Sequence, residues 1–274
     1  MLKRKITGFD YCDLMWCYPL FTCQDWTYLF DDLENIDHDP ITVSAVVDPF
    51  GDYDFAYLHR CFKDVVIPFK EHFIVDLHRP MKEFVSSHHQ RYARKSLQVL
   101  DVERCQNPSK VVDEWCRLYA NLIKRHNIKG LQAFSRTSFL KQLEVPGVVV
   151  FRAIHEDSTV GMLLWYIQND MGYYHLGAFS DLGYEMRASH ALFWTAINYF
   201  AERSLRWLNL GAGAGVKNDN NDGLSRFKRG WCTDTRTAYF CGRVFDHARY
   251  AEVVKAKNVT APGYFPKYRT GEFI

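Results

Sequence analysis

Apolar residues recur along this chain with two periods, and the switches between them lay out its elements. Val111, Trp115, Leu118 and Leu122 are spaced 4, 3 and 4, which predicts a helix with one apolar stripe over about 109–126. Asn107-Pro108 just ahead of it offers an Asx cap and a first-turn proline. Met186, His190, Phe193, Ile197 and Phe200 keep a 4, 3, 4, 3 rhythm, so a second helix is expected over about 183–203. Between them the period falls to two. VVVFRAI (148–154), TVGMLLWYI (159–167) and GYYHLGAF (172–179) read as strands joined by the polar turns at 155–158 and 168–170. Such short links make an antiparallel meander.

RWLNLGA (206–212) is a further buried-looking strand. Because a helix separates it from 172–179, it can lie parallel to that strand through a right-handed crossover. TAYFCGRVF (237–245) closes the series. In the first hundred residues, ITVSAVVD (41–48), DFAYLHRCF (54–62) and EHFIVDL (71–77) are strand candidates, and 81–98 reads as a helix. On that helix His88, Arg91 and Lys95 share one face, with Arg94 beside it. The turn at 105–108 is the expected boundary between two halves, 1–107 and 108–274, and the whole is α+β.

Composition narrows the class without naming it. With 274 residues, 47% of them hydrophobic and 24% charged, the chain is globular. A net charge of +2 does not announce a nucleic-acid binder, and no DNA partner is expected. The distribution is less even than the total. Asp31 to Asp54 holds eight acidic residues and no Lys or Arg, whereas Arg79, Lys82, Arg91, Arg94 and Lys95 face a single Glu83 between His78 and Lys95. Such asymmetry steers an anionic ligand toward one face. The eight cysteines are scattered, with no C-x-x-C pair. Reduced, mostly buried thiols and no metal site are therefore expected. MLKRKITGF lacks the apolar run of a signal peptide, and no window nears the length of a membrane span. A cytoplasmic protein without a transmembrane segment is the expectation.

Residues 210–215, LGAGAG, invite a nucleotide-loop reading that their spacing refuses. Gly211 to Gly215 is one residue short of a Walker loop, and Asn218 stands where Ser or Thr is needed. The following NDNNDG favours turns and cannot open a dinucleotide-binding helix. A structural or substrate-lining loop remains. Directly after it comes DGLSRFKRGW (222–231), in which Arg226, Lys228 and Arg229 are interleaved with Phe227 and closed by Gly230-Trp231. Solvated cations or a functional cluster both fit that pattern on spacing alone.

The stretch from YYHLGAF through LRWLNLGAG to DGLSRFKRGW resembles the Fem-type aminoacyltransferases of peptidoglycan bridge synthesis and their FemAB-like relatives in the GNAT-like superfamily. HHQRYARKSLQ (88–98) is similar to the arginine-rich helix that closes the first of their two GNAT-like subdomains. The resemblance implies tandem GNAT-like subdomains, each a mixed, mostly antiparallel sheet flanked by helices. It implies transfer of an activated acyl group, from aminoacyl-tRNA or acyl-CoA as co-substrate, onto an amine acceptor, with no tightly bound cofactor. It puts Lys228 beside the reacting centre, with Phe227 and Trp231 anchoring the segment. Arg226, Arg229, Arg187, Arg91 and Lys95 are the expected substrate-binding cations, and mid-strand His175 is the candidate base. Asp222 either orients Lys228 or caps a short helix.

Two departures bear on the donor. GNAT enzymes hold the CoA pyrophosphate on a glycine-rich turn opening a helix, whereas FSDLGYEMRASHA (179–191) offers Gly183 alone. Phe227 also stands where such enzymes often carry an acid tyrosine. A GNAT-fold module without catalysis, binding RNA or a protein partner, is the alternative reading.

Overall fold

The computed structural model describes residues 1–16, 19–36, 39–130, 133–214, 222–259 and 263–272. The chain divides into two units, residues 1–71 with 236–274, and residues 72–235.

In the first unit β1 (Leu2–Lys5), β2 (Cys12–Met15), β3 (Pro40–Val47) and β10 (Asp234–Val244) lie side by side in that order, with the first part of β4 (Val65–Asp76) next. β1 with β2 and β3 with β10 are antiparallel, while β2 with β3 is parallel. Helices α1 (Leu29–Glu34) and α2 (Phe55–Cys61) bury Leu29, Leu33, Leu58 and Cys61 against Val43, Ala45 and Val47. Helix α10 (His247–Ala256) closes a smaller cluster of Val253 with Ile6, Ile41 and Tyr268. The strand expected over 54–62 is thus a helix. Asp54 accepts a hydrogen bond from Tyr57 N at 2.6 Å, and this cap starts a turn that brings Leu58 and Cys61 to one face.

The second unit holds β5 (Asp101–Arg104), β6 (Val148–His155), β7 (Ser158–Gln168), β8 (Met171–Phe179) and β9 (Trp207–Asn209). Its order is β4-β9-β8-β7-β6-β5. β6 to β8 are the expected antiparallel meander, β5 adds an antiparallel strand beside β6, and β9 runs parallel to β8 and antiparallel to β4. One face of this sheet is covered through Ala93, Leu192, Phe193, Ile197 and Trp231, packed on Phe73, Val75, Phe151 and Trp165. These come from α4 (Ser87–Ser96), α8 (Ala188–Glu202) and the residues after α9 (Gly223–Arg229). The opposite face carries α5 (Val112–His126) and α6 (Arg136–Leu143), whose Trp115, Leu118 and Phe139 meet Val150, Met162 and Leu164.

Both long predicted helices on the first face are broken. Residues 81–98 form α3 (Met81–Phe84) and α4, separated by extended Val85 and Ser86, and Ser86 caps α4 through the His89 amide. Residues 183–203 form α7 (Asp181–Glu185) and α8, parted by Arg187 at φ 57°. The turn at 105–108 lies inside the second unit. Among the described residues no helix is long and apolar enough to cross a membrane, and the seven described cysteines are free thiols, four of them buried.

Candidate functional site

β8 and β9 are paired only from Met171–Trp207 to Tyr173–Asn209. Beyond that point β8 continues to Phe179 beside β7. The other chain turns away to β4, where Leu210 N donates to Phe73 O at 2.8 Å and Phe73 N to Gly211 O at 3.1 Å. The two parallel strands therefore part at Asn209. Gly211 sits at φ +73°, a conformation glycine takes without strain. Its amide donates to Asn209 Oδ1 at 2.8 Å, and His72 Nδ1 lies 3.0 Å from the same oxygen. The bond from the Gly211 amide identifies this atom as the amide's carbonyl oxygen, which has no proton to donate, so His72 carries its proton on Nδ1.

Helix α9 delivers a lysine to this split. Asp222 caps it, accepting from Leu224 N and Ser225 N at 2.7 and 3.0 Å and from Ser225 Oγ at 2.5 Å. Burial works against ionisation there, but the hydrogen bonds from Ser225, Leu224 and Ala214 outweigh it and hold this carboxyl below the ordinary aspartate range. Capping is Asp222's role, one of the two the sequence allowed. One turn later Lys228 is only 4% exposed. Its Nζ donates to Ala212 O at 2.6 Å and lies 5.5 Å from the Tyr174 ring. Ala212 continues β9 and Tyr174 continues β8, so the lysine head bridges the gap between the diverging strands.

The rest of the motif is clamped by α4. Trp231 is fully buried, stacked on Phe193 and edge-on to His89. His89 Nε2 donates to Phe227 O at 3.1 Å, and its Nδ1 is 2.8 Å from Ser86 Oγ. Ser86 N donates to Gly230 O at 3.0 Å. A methyl group on Gly230 would lie 2.2–2.6 Å from the His89 ring, which explains the glycine in this motif. His190 packs on His89, Tyr92 and Phe227. Burial, with His89 and Arg187 nearby, pushes His190 down to about 3, and burial likewise lowers His89. Both rings are neutral at pH 7.

The sequence-predicted residues fall into three groups. Lys228, Phe227 and Trp231 stand together as described, with the two aromatics as anchors and not as an open surface. Arg226 and Arg229 are exposed on α9, and Arg91 and Lys95 on α4. Arg187 lies 3.3 Å over the Tyr92 ring, and Arg91 is 5.3 Å from the same ring. His175 is apart from all of these. It points to the α5–α6 face, with Nε2 2.8 Å from Gln142 Oε1 and its ring against Tyr166. Tyr174, its neighbour, faces Lys228 and Phe193 on the other side. Burial holds His175 down at about 4, as suits a neutral core histidine. Gly215 and Asn218 of the glycine loop lie outside the described residues.

Gly183 has a structural explanation. A methyl group there would be 2.1 Å from Val160 O, so the residue is small to let α7 lie on β7. Across the α7–α8 break Ser96 Oγ donates to Met186 O at 2.6 Å and to Arg187 O at 3.1 Å. α4 is thereby tied to the turn where a pyrophosphate loop would open. Asn209, His72, His89 and Tyr174 have no place among the sequence-predicted site residues, and His190 enters there only as a position in the stripe of its helix. The one legible trace of them was Asn209-Leu210-Gly211 at the end of a buried strand, where an amide before a glycine signals a side-chain-capped turn.

A cleft of about 370 Å³ elsewhere, lined by Glu114, Arg117, Arg152 and Thr159, is a weaker candidate. Arg152 is engaged there by Glu103 and Glu114, and Arg117 by Thr159 O.

Residues 86–229 match the family model described as an acetyltransferase (GNAT) domain. No curated protein matches the chain. Among solved structures the chain is similar to FemX, at 12% identity with a TM-score of 0.69, covering 91% of this chain and 85% of that one. It is also similar to the C-terminal domain of a putative lysylphosphatidylglycerol synthetase from Agrobacterium fabrum, at 16% identity and TM-score 0.59, covering 87% and 78%. A third similar structure is L-PGS from Bacillus licheniformis, at 16% identity and TM-score 0.53, covering 78% and 72%. At these identities the likeness is one of fold, and it matches the α+β GNAT-like architecture described above.

Proposed function

The chain belongs to the acetyltransferase (GNAT) domain family, and from that premise we propose that it is a FemAB-like transferase that moves an aminoacyl group from aminoacyl-tRNA onto an amine. The observation that carries this reading is Lys228, buried yet held with its Nζ across the β8–β9 split by Ala212 O. An amine attacking an ester or thioester carbonyl forms a C–N bond and pushes an electron pair onto the carbonyl oxygen. The tetrahedral oxyanion then collapses, breaking the C–O or C–S bond, and the proton shed by the amine goes to the leaving group. A cation fixed beside that oxygen is worth most in a site screened from water. The amine's own surroundings carry its proton in this scheme, since His175 faces away from Lys228.

What surrounds the α8 N-terminus supports a tRNA donor over an acyl-CoA. An acyl-CoA is held by backbone amides of a glycine-rich turn. Here the turn carries Gly183 packed on β7, left-handed Arg187 and the Ser96 tie from α4. Exposed Arg91, Lys95 and Arg187, with Arg226 and Arg229 on α9, offer phosphate contacts in its place. The similar structures, FemX and the C-terminal domain of a putative lysylphosphatidylglycerol synthetase, point the same way. A cytoplasmic setting goes with that donor.

Replacing Lys228 with Met should abolish transfer from charged tRNA while leaving the melting temperature within a few degrees. Unchanged turnover in that variant would remove Lys228 from the site. Donor binding should also weaken steeply between 50 and 200 mM salt, as counterion release from a phosphate backbone requires. Tight, salt-insensitive binding of acetyl-CoA, with none of tRNA, would move the reading to a CoA-dependent N-acyltransferase.

A further inference from the structure

Resting on that reading, we infer that Asn209 is a second catalytic residue, its side-chain Nδ2–H donating to the carbonyl oxygen of the activated acyl group where β8 and β9 part. Asn209 is 2% exposed, and its Nδ2 has no hydrogen-bond partner among the described residues. The orientation of its amide is fixed. Gly211 N is an obligatory donor 2.8 Å from the side-chain oxygen, so the other end must be the NH2 group. Among the described residues the other orphaned buried donors are the indole nitrogens of Trp115, Trp165 and Trp231 and one nitrogen of Arg243. The indoles are explained by large rings filling apolar cores, and Arg243 is held through Glu34. Asn209 has neither excuse. A buried amide donor without a partner has given up its hydrogen bonds to water with nothing in exchange. A ligand carbonyl would make good that loss.

Position makes the same point. Asn209 is the last residue of β9 paired with β8, so its backbone stands at the point where the gap opens, with its side chain turned to His72. Gly211 ties it to the lysine. The Gly211 amide is held by Asn209 Oδ1, and Lys228 Nζ is 3.3 Å from the place where a Gly211 side chain would begin. One strand end thus presents a neutral N–H donor and an ammonium on the same turn. His72 holds the Asn209 oxygen from the other side, which leaves the amide no freedom to rotate. In the transfer itself Asn209 gives up no proton. It hydrogen-bonds the oxygen while that atom carries the electron pair, and it releases it when the leaving-group bond breaks.

The test is Asn209→Asp, which keeps an oxygen for Gly211 N and His72 but removes the NH2 donor. With a charged bulk tRNA or acetyl-CoA as donor and hydroxylamine as acceptor, kcat should fall about 10²- to 10³-fold, as when one oxyanion donor is lost. The donor KM should stay within about two-fold and the melting temperature close to wild type. A purely structural asparagine predicts the reverse pattern, with stability or KM moved and kcat kept, and that result would overturn the inference. Should a buried carboxylate prevent folding, Asn209→Ser serves instead, because its hydroxyl satisfies Gly211 N but is too short to reach beyond it. The same fall in kcat is expected. Wild-type protein inert with both donors would sink the acyl-transfer reading and this inference together. An active wild type with an unimpaired Asn209→Asp variant would sink the inference alone.

Discussion

Gly230 shows how one missing methyl group holds the lysine motif in place. Its backbone φ of −70° is open to any residue, so the glycine is there for space alone. The His89 ring occupies the place of its side chain and spans from Ser86 to Phe227. Gly230→Ala should therefore displace His89 and break both of those bonds. The expected cost is about 1–3 kcal/mol for an overpacked site, read as a lower denaturation midpoint at unchanged slope. If the collision with His89 is the cause, pairing Gly230→Ala with His89→Ala should cost clearly less than the sum of the two. Simple additivity would show that the glycine serves something else.

At the scale of elements, periodicity carried far and stopped at caps and breaks. The β6–β7–β8 meander, the parallel β9 and α5 follow from alternation and from the 3.6-residue stripe, because those segments bury one whole face. The expected strand over 54–62 failed because Asp54 reads equally as a turn residue and as a helix cap. What decides is the tertiary burial of Leu58 and Cys61. Helix α6 was passed over because its one apolar turn, Phe139 with Leu143, is too short for a stripe. The break at Arg187 was invisible, since a left-handed arginine has no sequence signature. It is over-determined by the bonds from Ser96 and by the Tyr92 ring beneath it. Lys228, Phe227 and Trp231 were legible because they adjoin in sequence. Asn209, His72 and His89 join that lysine only through the strand split and the α4 clamp. His175 was misleading for a related reason, since alternation on β8 says it is opposite Tyr174 but not which face holds the lysine.

For the molecule as a whole, the neutral histidines of the second unit set its response to acid. His190 is held at about 3 and His175 at about 4, both through burial, against about 6.5 in an unfolded chain. Between those values the unfolded chain binds protons that the folded one refuses, so stability must fall as pH falls. Their contribution is fully present above pH 6.5 and drains away as the pH drops toward 4. By pH 5 the loss should reach roughly 2 kcal/mol for each of the two. Paired carboxylates such as Asp113 are held below the ordinary range by their partners, Arg136 in that case, and act mainly below pH 4. The slope between pH 6.5 and 5 is therefore a histidine signal. His190→Phe keeps the ring among Tyr92, Phe227 and Trp231 but cannot take a proton. Urea midpoints measured from pH 7.5 to 4.5 should then fall less steeply than in wild type, with His175 and His89 keeping the rest of the slope, and an unaltered slope would mean that His190 is solvated and free to ionise in the fold.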